Sequence, residues 1–133
     1  MIASNGGITA EGDISGFGEI VYSGHDIEEA LQSAELIYVV GPAYSTEPVG
    51  EVVAGKLREG QTVIVTPSSC GGALAFKRAA GLSVDDDSIR VAETSTLHYA
   101  VRLTEPGKIR VFLKLKAGNL LAALPNTHTQ DIL

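Results

Sequence analysis

Three short segments combine hydroxyl and carboxyl groups with small residues, the residue types that bind a polar ligand close to the main chain. They are Gly41-Pro42-Ala43-Tyr44, Thr66-Pro67-Ser68-Ser69-Cys70-Gly71-Gly72 and Glu93-Thr94-Ser95. Proline, alanine and glycine leave space for a flat ligand, and the carboxylate of Glu93 can accept a hydrogen bond from a ribose hydroxyl or an amide. Proline and glycine also end strands, so a purely structural role is an equally good interpretation of the spacing.

Other chemistry receives little support from the sequence. Cys70 is the single cysteine and has no histidine close to it in the chain, and Ser68 and Ser69 lack the G-x-S-x-G context of an exposed nucleophile. His98 stands in an extended stretch, where packing is its commoner role. Gly16-Phe17-Gly18 lacks the third glycine of a dinucleotide fingerprint and precedes a strand instead of following one. Because no histidine, cysteine or carboxylate pair has metal-site spacing either, we assign no catalytic residue and no metal ligand.

Buried strands and amphipathic helices alternate in the region that carries the three segments. The apolar run Leu36–Val40 is typical of a parallel strand covered by helices on both faces. Asp26 and Glu29 have the spacing of a capping box, and apolar residues then recur at helical intervals. The predicted strands are Glu19–Tyr22, Leu36–Val40, Thr62–Val65 and Ile89–Ala92. Three helices are predicted between them: the first covers residues 26–34, the second is capped by Ser45 or Thr46, and the third begins at Gly71 or Gly72.

This alternation predicts an α/β fold with a parallel sheet wound in one direction. The carboxyl ends of parallel strands lie at one edge, where open α/β sheets bind ligands. The loops after Val40, Thr66 and Ala92 should therefore lie together. The helix that begins near Gly71 should direct its amide groups toward the same edge, which favours an anionic group there.

The two ends of the chain predict additional strands. Ile8–Ala10 is a short β segment among glycines, and Thr96–Leu103 is predicted to be extended. Ile109–Leu115 alternates apolar and basic residues, as a half-exposed antiparallel strand does. Lys116-Ala117-Gly118 is expected to form a turn, and Asn119–Leu124 is compatible with either a strand or a helix.

Composition and charge narrow the class of protein. The 133 residues suffice for one domain, and 16 acidic against 10 basic residues give a net charge of −6. We expect no nucleic-acid partner, because phosphate binding needs concentrated positive charge. We expect no membrane segment, because no apolar run approaches ~18 residues. A single cysteine and an N-terminus unlike a signal peptide predict a cytoplasmic protein.

Taken together, several of these segments resemble the opine dehydrogenase family, which includes the octopine and nopaline dehydrogenases. The resemblance covers residues 7–125, and its most specific part is Gly71-Gly72-Ala73-Leu74-Ala75-Phe76-Lys77 with a proline before it. The other matching stretches are Ala34–Ala43, Glu59–Pro67, Glu93–Leu97, Arg102 and Pro106-Gly107-Lys108.

The resemblance implies that residues 1–133 are a single, incomplete NAD(P)-binding domain. Its fold would be a partial Rossmann-like, doubly wound parallel sheet with antiparallel strands or a hairpin near the C-terminus, and its cofactor NAD or NADP. In this family an amino acid is joined to a 2-oxo acid by reductive condensation, with hydride passing between the nicotinamide and the imine carbon. By the same resemblance, the residues along the dinucleotide are Pro42, Ala43, Pro67, Ser68, Glu93 and Thr94. Ketopantoate reductases and glycerol-3-phosphate dehydrogenases share this strand-end pattern and are an alternative.

Members of the family also contain parts that this sequence does not match. These are the opening strand with its G-x-G-x-x-G turn and the helical C-terminal domain, which supplies the catalytic histidine and aspartate. In the strand order 3-2-1-4-5-6 the unmatched strands are central, so Leu36–Val40 is expected to have an exposed edge that favours self-association. We therefore expect a fragment of a longer enzyme, and a non-catalytic binding or assembly module is the alternative.

Overall fold

The computed structural model describes residues 6–68, 70–115 and 118–133, which form two compact units. The strands are β1 (Gly7–Gly12), β2 (Gly16–Glu19), β3 (Leu36–Val40), β4 (Thr62–Thr66), β5 (Arg90–Thr94), β6 (Tyr99–Glu105), β7 (Lys108–Lys114) and β8 (Leu121–Leu124). The helices are α1 (Ile27–Leu31), α2 (Thr46–Val53), α3 (Gly72–Ala79) and α4 (Thr129–Ile132), with 3-10 turns at Ala43–Ser45 and Asn126–His128. The described residues within Met1–Asp26 and His98–Gly118 form the sheet unit, and those within Ile27–Leu97 and Asn119–Leu133 form the helical unit.

The helical unit contains a mixed sheet in the order β3-β4-β5-β8. Strands β3, β4 and β5 are parallel, with Leu36 opposite Thr62 and Thr62 opposite Arg90, whereas β8 runs antiparallel to β5. A helix lies between successive parallel strands, because a parallel neighbour requires a crossover that returns the chain to the other end of the sheet. The predicted α/β class, with parallel strands and an antiparallel strand near the C-terminus, is confirmed.

One face of this sheet carries the main hydrophobic core. Val63 and Val65 of β4 point to this face and pack in one cluster with Phe76 of α3, which is 1% exposed. Helices α1 and α2 contribute Leu31 and Val53 to the same cluster. The three helices therefore form one layer that covers one face of the sheet.

The opposite face is covered only in part. Ile64 and Ala123 belong to a smaller cluster, against which Ile132 of α4 packs. On β3, by contrast, Leu36 is 51% exposed and Val40 is 66% exposed. The apolar run Leu36–Val40 predicted helices on both faces of this strand. Among the described residues, however, only one face of β3 is covered.

The helices are short and depend on packing. None in the described part of the chain has the length and apolar character needed to cross a bilayer. Helices α2 and α3 have eight residues each, which is too few for a stable isolated helix. They approach each other closely, since a Cβ atom built at Gly50 would lie 2.7 Å from the Cβ of Ala79 and 3.0 Å from the carbonyl oxygen of Phe76. Glycine is therefore required at this crossing.

The sheet unit contains a second four-stranded sheet, in the order β2-β1-β7-β6. Strand β1 pairs with β2 in antiparallel and with β7 in parallel orientation, and β6 and β7 form an antiparallel pair. The antiparallel strand predicted for Ile109–Leu115 is thus confirmed. Residues are exposed along the whole of β6, and Val111 is the one hydrophobic side chain of this unit's described residues that is buried.

Two predicted elements differ from the structure. The predicted strand Glu19–Tyr22 is wrong in position, because β2 ends at Glu19, where its hairpin register with β1 ends. The helix predicted for residues 26–34 ends at Leu31. The Nε2 group of Gln61 donates hydrogen bonds to the carbonyl oxygens of Leu31 and Ala34, at 3.2 Å and 2.7 Å, which satisfies acceptors at this helix end.

The end of the chain resolves the alternative that the sequence left open. Within Asn119–Leu124 the chain forms strand β8, in which Leu121 pairs with Thr94. The extended stretch predicted for Thr96–Leu103 becomes β6, which begins three residues later. The turn expected at Lys116-Ala117-Gly118 includes two residues outside the described part of the chain.

Candidate functional site

The predicted segments leave the sheet of the helical unit at one edge. Because β3, β4 and β5 are parallel, the loops that follow them lie at the same end of the sheet. Val40 stands opposite Thr66, so Pro42 and Pro67 follow neighbouring strand ends. Glu93 lies one position before the end of β5. The parallel topology therefore brings the predicted residues to one edge.

Glu93 and Ser68 are joined by a hydrogen bond at this edge. The Ser68 hydroxyl donates to Oε2 of Glu93 over 2.9 Å, and the backbone N–H of Ala73 donates to the same oxygen over 2.8 Å. The backbone N–H of Gly72 donates to Oγ of Ser68 over 3.0 Å. Two amides at the start of α3, which have no partner within the helix, are thus satisfied by side chains of the protein itself.

These contacts correct the expectation of an anionic ligand at α3. The anion at the helix N-terminus is the carboxylate of Glu93, which the helix dipole stabilises. A phosphate at the same point would meet this negative charge at close range. What the site offers is acceptor oxygens, on Glu93 and Ser68, which suit a ligand with hydroxyl or amide donors.

Thr94 lies in the protein interior beneath the Ser68–Glu93 pair and holds the loop that carries Ser68. Its side chain is buried, and its hydroxyl lies 2.7 Å from Oγ1 of Thr66 and 3.1 Å from the carbonyl oxygen of Thr96. The backbone N–H of Ser68 donates to the carbonyl oxygen of Thr94 over 2.9 Å. The Thr94 side chain therefore points into the protein, and its role at the edge is to hold the loop that carries Ser68.

Pro42 and Ala43 are exposed at the start of the turn after β3. The carbonyl oxygen of Pro42 accepts hydrogen bonds from the Ser45 backbone N–H over 2.8 Å and from the Ser45 hydroxyl over 2.7 Å. Within the described residues, no hydrogen bond connects Pro42 or Ala43 to Ser68 or Glu93. The strand order makes these two residues neighbours of the Ser68–Glu93 pair without a direct polar contact.

A cavity of about 290 Å³ lies beside the Ser68–Glu93 pair. Its wall is completed by Leu120–Ala122, at the start of β8, which the sequence did not identify as part of a site. The Ser95 hydroxyl donates to Oδ1 of Asn119 over 2.8 Å, which places this wall next to the end of β5. In the sequence, the only indication of this wall was the apolar stretch after Asn119, which was compatible with either a strand or a helix.

The geometry fits part of a dinucleotide. The cavity and the acceptor oxygens of Ser68 and Glu93 suit an uncharged ring with hydroxyl or amide donors, whereas Pro42 and Ala43 do not line the cavity. The diphosphate does not fit at the start of α3, because the Glu93 carboxylate lies there. Among the described residues, no group of three or more histidine, cysteine or carboxylate side chains could hold a metal ion.

The chain is similar to several known enzymes, and no protein-family model matches it. An opine dehydrogenase of Arthrobacter sp. (strain 1C) is 30% identical over 111 residues, which are 83% of this chain and 31% of that protein. Octopine dehydrogenase, in a structure with NADH and pyruvate, aligns with 88% of this chain and 31% of its own at a TM-score of 0.75 and 18% identity. Yersinopine dehydrogenase, in its apo form, aligns with 92% of this chain and 30% of its own at a TM-score of 0.67 and 17% identity.

The resemblance inferred from the motifs is therefore confirmed. The Arthrobacter enzyme carries the likeness in sequence, and the two solved structures show a shared fold. The chain spans about a third of the length of these relatives.

Proposed function

The chain is a relative of the opine dehydrogenase family, and on this premise we propose that it forms the later part of the nucleotide-binding domain of an NAD(P)-dependent opine-type dehydrogenase. Residues 1–133 then constitute one incomplete domain of a longer enzyme. The observation that carries the proposal is the Ser68–Glu93 pair beside a cavity of about 290 Å³, at the carboxyl ends of parallel strands. Open α/β sheets bind nucleotides at this place.

The proposed reaction joins an amino acid to a 2-oxo acid. The amine nitrogen forms a bond to the keto carbon, water leaves, and the resulting imine is reduced by addition of a hydride to carbon and a proton to nitrogen. Bound NADH or NADPH supplies the hydride. Residues of this chain bind and orient the dinucleotide, and the groups that handle the proton belong to the part of the enzyme outside the matched region.

We assign the dinucleotide contacts to Pro42, Ala43, Pro67, Ser68, Glu93 and Thr94. Glu93 and Ser68 accept hydrogen bonds from hydroxyl or amide groups of the ligand, and Ala73 keeps the Glu93 carboxylate in place through its backbone N–H. Pro42, Ala43 and Pro67 form the apolar wall at the two neighbouring strand ends. Thr94 acts through its backbone, because its hydroxyl is bound within the protein. The choice between NAD and NADP depends on residues outside this edge.

A chimera tests the proposal. In it, the 111 matched residues of the Arthrobacter enzyme are replaced by the corresponding residues of this chain, and oxidation of NADH is followed in the presence of an amino acid and pyruvate. We expect turnover in the chimera, and we expect Glu93→Gln to raise the KM for NADH by about tenfold, because a ligand hydrogen bond to a charged group contributes roughly 1.5–3 kcal/mol. Glu105→Gln, on the exposed strand β6, is the matched control and should leave this KM within a factor of about two.

Two results would contradict the proposal. The first is a well-folded chimera without any NADH oxidation. The second is an equal effect of Glu93→Gln and Glu105→Gln on the KM for NADH, since this would show that Glu93 does not contact the ligand. The isolated chain should bind NADH more weakly than about 1 mM, because the glycine-rich turn that holds the diphosphate is not matched by any of its residues.

A non-catalytic binding or assembly module is the second candidate, and the exposed edge of β3 favours it. Self-association through this edge stays a prediction. Sedimentation velocity over a hundredfold range of concentration measures it, and a constant monomer mass would contradict it.

A further inference from the structure

The cavity beside Glu93 has an exposed leucine in its wall. The lining includes Leu120, Leu121 and Ala122, at the start of β8, together with Ser68 and Glu93. Leu121 packs against the smaller apolar cluster of the sheet, whereas Leu120 is 76% exposed. The cavity therefore combines acceptor oxygens with an apolar side chain that is largely open to solvent.

The side chain of Asn119 connects the start of this wall to the end of β5. Its Nδ2 group donates to the carbonyl oxygen of Thr96 over 2.7 Å, and its Oδ1 atom accepts from the Thr96 backbone N–H over 3.3 Å. Oδ1 also accepts a hydrogen bond from the Ser95 hydroxyl over 2.8 Å. The Asn119 amide thus pairs with both backbone groups of Thr96, as the main chain of a neighbouring strand would.

The backbone of Leu120 is held by Ser95. The Leu120 N–H donates to the Ser95 hydroxyl oxygen over 3.3 Å, and the Ser95 N–H donates to the Leu120 carbonyl oxygen over 2.9 Å. Exposed hydrogen bonds add little to stability, because water offers the same partners to the unfolded chain. They do restrict where Leu120 can lie, and a residue that is fixed before its ligand arrives loses less entropy on binding.

We propose that Leu120 packs against a ring of the dinucleotide that Glu93 and Ser68 bind, and that Asn119 is a positioning residue that acts through Leu120. The inference rests on the proposed function. A flat ring has polar groups at its rim and apolar faces, and the lining offers acceptor oxygens for the rim and Leu120 for a face. Asn119 is not part of the lining, so its effect on the ligand passes through the wall that it holds.

A purely structural role of Asn119 predicts a different result. Asn119 is the first residue of the helical unit after the chain returns from the sheet unit, and its hydrogen bonds would then serve only to fix the chain at this return. Loss of the side chain would lower stability and leave the affinity for NADH unchanged. Ligand affinity therefore separates the two roles.

The test uses the chimera and measures the Kd of NADH by fluorescence titration, which does not require turnover. We expect Leu120→Ala to raise this Kd by about five- to tenfold, because it removes the branched end of the side chain from contact with the ring. Asn119→Ala should raise it by about threefold, because the wall is no longer fixed before binding. Leu113→Ala, at an exposed position on β7, and Asn126→Ala, in the turn after β8, are the matched controls and should leave the Kd within a factor of about 1.5.

The double variant shows how Asn119 acts. Asn119→Ala should have no further effect on the Kd in the Leu120→Ala background, because the side chain that it positions is already absent. On the full chain, hydrogen exchange of the Leu120 amide should be faster in Asn119→Ala and unchanged in Asn126→Ala. If Asn119→Ala unfolds the protein, Asn119→Gln keeps the amide but displaces it, and should change the Kd and the exchange rate in the same direction.

NADH oxidation by the same variants separates this inference from the proposed function. A chimera whose Kd for NADH depends on Leu120 and Asn119, but which does not turn over, supports the inference and counts against the proposed reaction alone. An unchanged Kd in Leu120→Ala, or independent effects in the double variant, would overturn the inference in an active chimera. A higher KM for the amino acid with an unchanged Kd for NADH would also overturn it, since Leu120 would then contact the other substrate. A chimera that does not bind NADH would overturn both proposals.

Discussion

Both units of the molecule contain a four-stranded sheet, but only one of the two sheets has a substantial core. In the helical unit, Val63 and Val91 are fully buried and Phe76 is nearly so. In the sheet unit, Phe112 is 56% exposed and Leu103 is 72% exposed. The difference follows from the helices, since three of them cover one face of the first sheet and the second sheet contains none in its described residues. Apolar strand residues are buried only where another layer covers them.

The comparison predicts that stability resides in the helical unit. Phe76→Ala should lower the free energy of unfolding by about 3–5 kcal/mol, because it removes a large side chain from the centre of the core. Phe112→Ala, the same change on the exposed sheet, should cost less than about 1 kcal/mol. Urea denaturation followed by circular dichroism measures both, and similar costs would contradict the comparison.

Substitution of Lys77 tests the contribution of a buried polar side chain to the stability of the helical unit. Its side chain is buried, and its ammonium donates to the carbonyl oxygens of Ser83, Val84 and Asp86, at 3.3 Å, 3.2 Å and 2.7 Å. Lys77→Met should cost about 1–3 kcal/mol, because it leaves these acceptors without their donor. Arg78→Met, at the exposed neighbouring position, should change stability by less than about 0.5 kcal/mol. Thermal unfolding of the two variants provides the measurement, and equal melting temperatures would show that Lys77 has no anchoring role.

The burial of Lys77 also leads us to expect that stability depends on pH. Burial lowers the pKa of Lys77 below its ordinary value, although the carboxylates of Asp86, Asp87 and Asp85 act in the opposite direction. Between the lowered pKa and the unfolded value of about 10.4, the unfolded chain binds more protons than the folded chain. The contribution of Lys77 to stability should therefore rise with pH in this window. Urea titrations of the wild type and of Lys77→Met should diverge there, and parallel curves would contradict the prediction.

The smallest effect is expected on the sheet unit. Leu103→Thr removes an exposed apolar group from β6 and keeps strand propensity, so stability should change by less than about 0.5 kcal/mol. A loss of more than about 2 kcal/mol in urea would show that this face is covered in solution, and the contrast between the two units would then fail.

The sequence predicted the helical unit better than the sheet unit. The runs Leu36–Val40 and Thr62–Val65 were assigned correctly, because continuous apolar segments between turn residues form strands almost regardless of context. The strand near Glu19 was misplaced, because its position depends on the hairpin register with β1. The parallel pairing of β1 with β7 joins segments about a hundred residues apart, such as Thr9 and Lys108. No local pattern records such pairing, since register is fixed by partners that are distant in the chain.

The sequence predicted the position of the three segments at one edge of the sheet but not the contacts between them. Strand order brought the Pro42, Pro67 and Glu93 segments to one edge, as parallel topology requires. The sequence did not show that Glu93 would occupy the N-terminus of α3, because this bond joins residues 20 positions apart through a side-chain rotamer. The wall at Leu120–Ala122 was missed for a similar reason, since it depends on the pairing of β8 with β5.

The tight contact of α2 with α3 at Gly50 makes this crossing sensitive to substitution. Because even a methyl group at Gly50 would lie only 2.7 Å from the Ala79 side chain, any larger residue at this position would force the two helices apart. Strand β4 lies between these helices in the chain, so such a substitution would also disturb the connections at both ends of this strand.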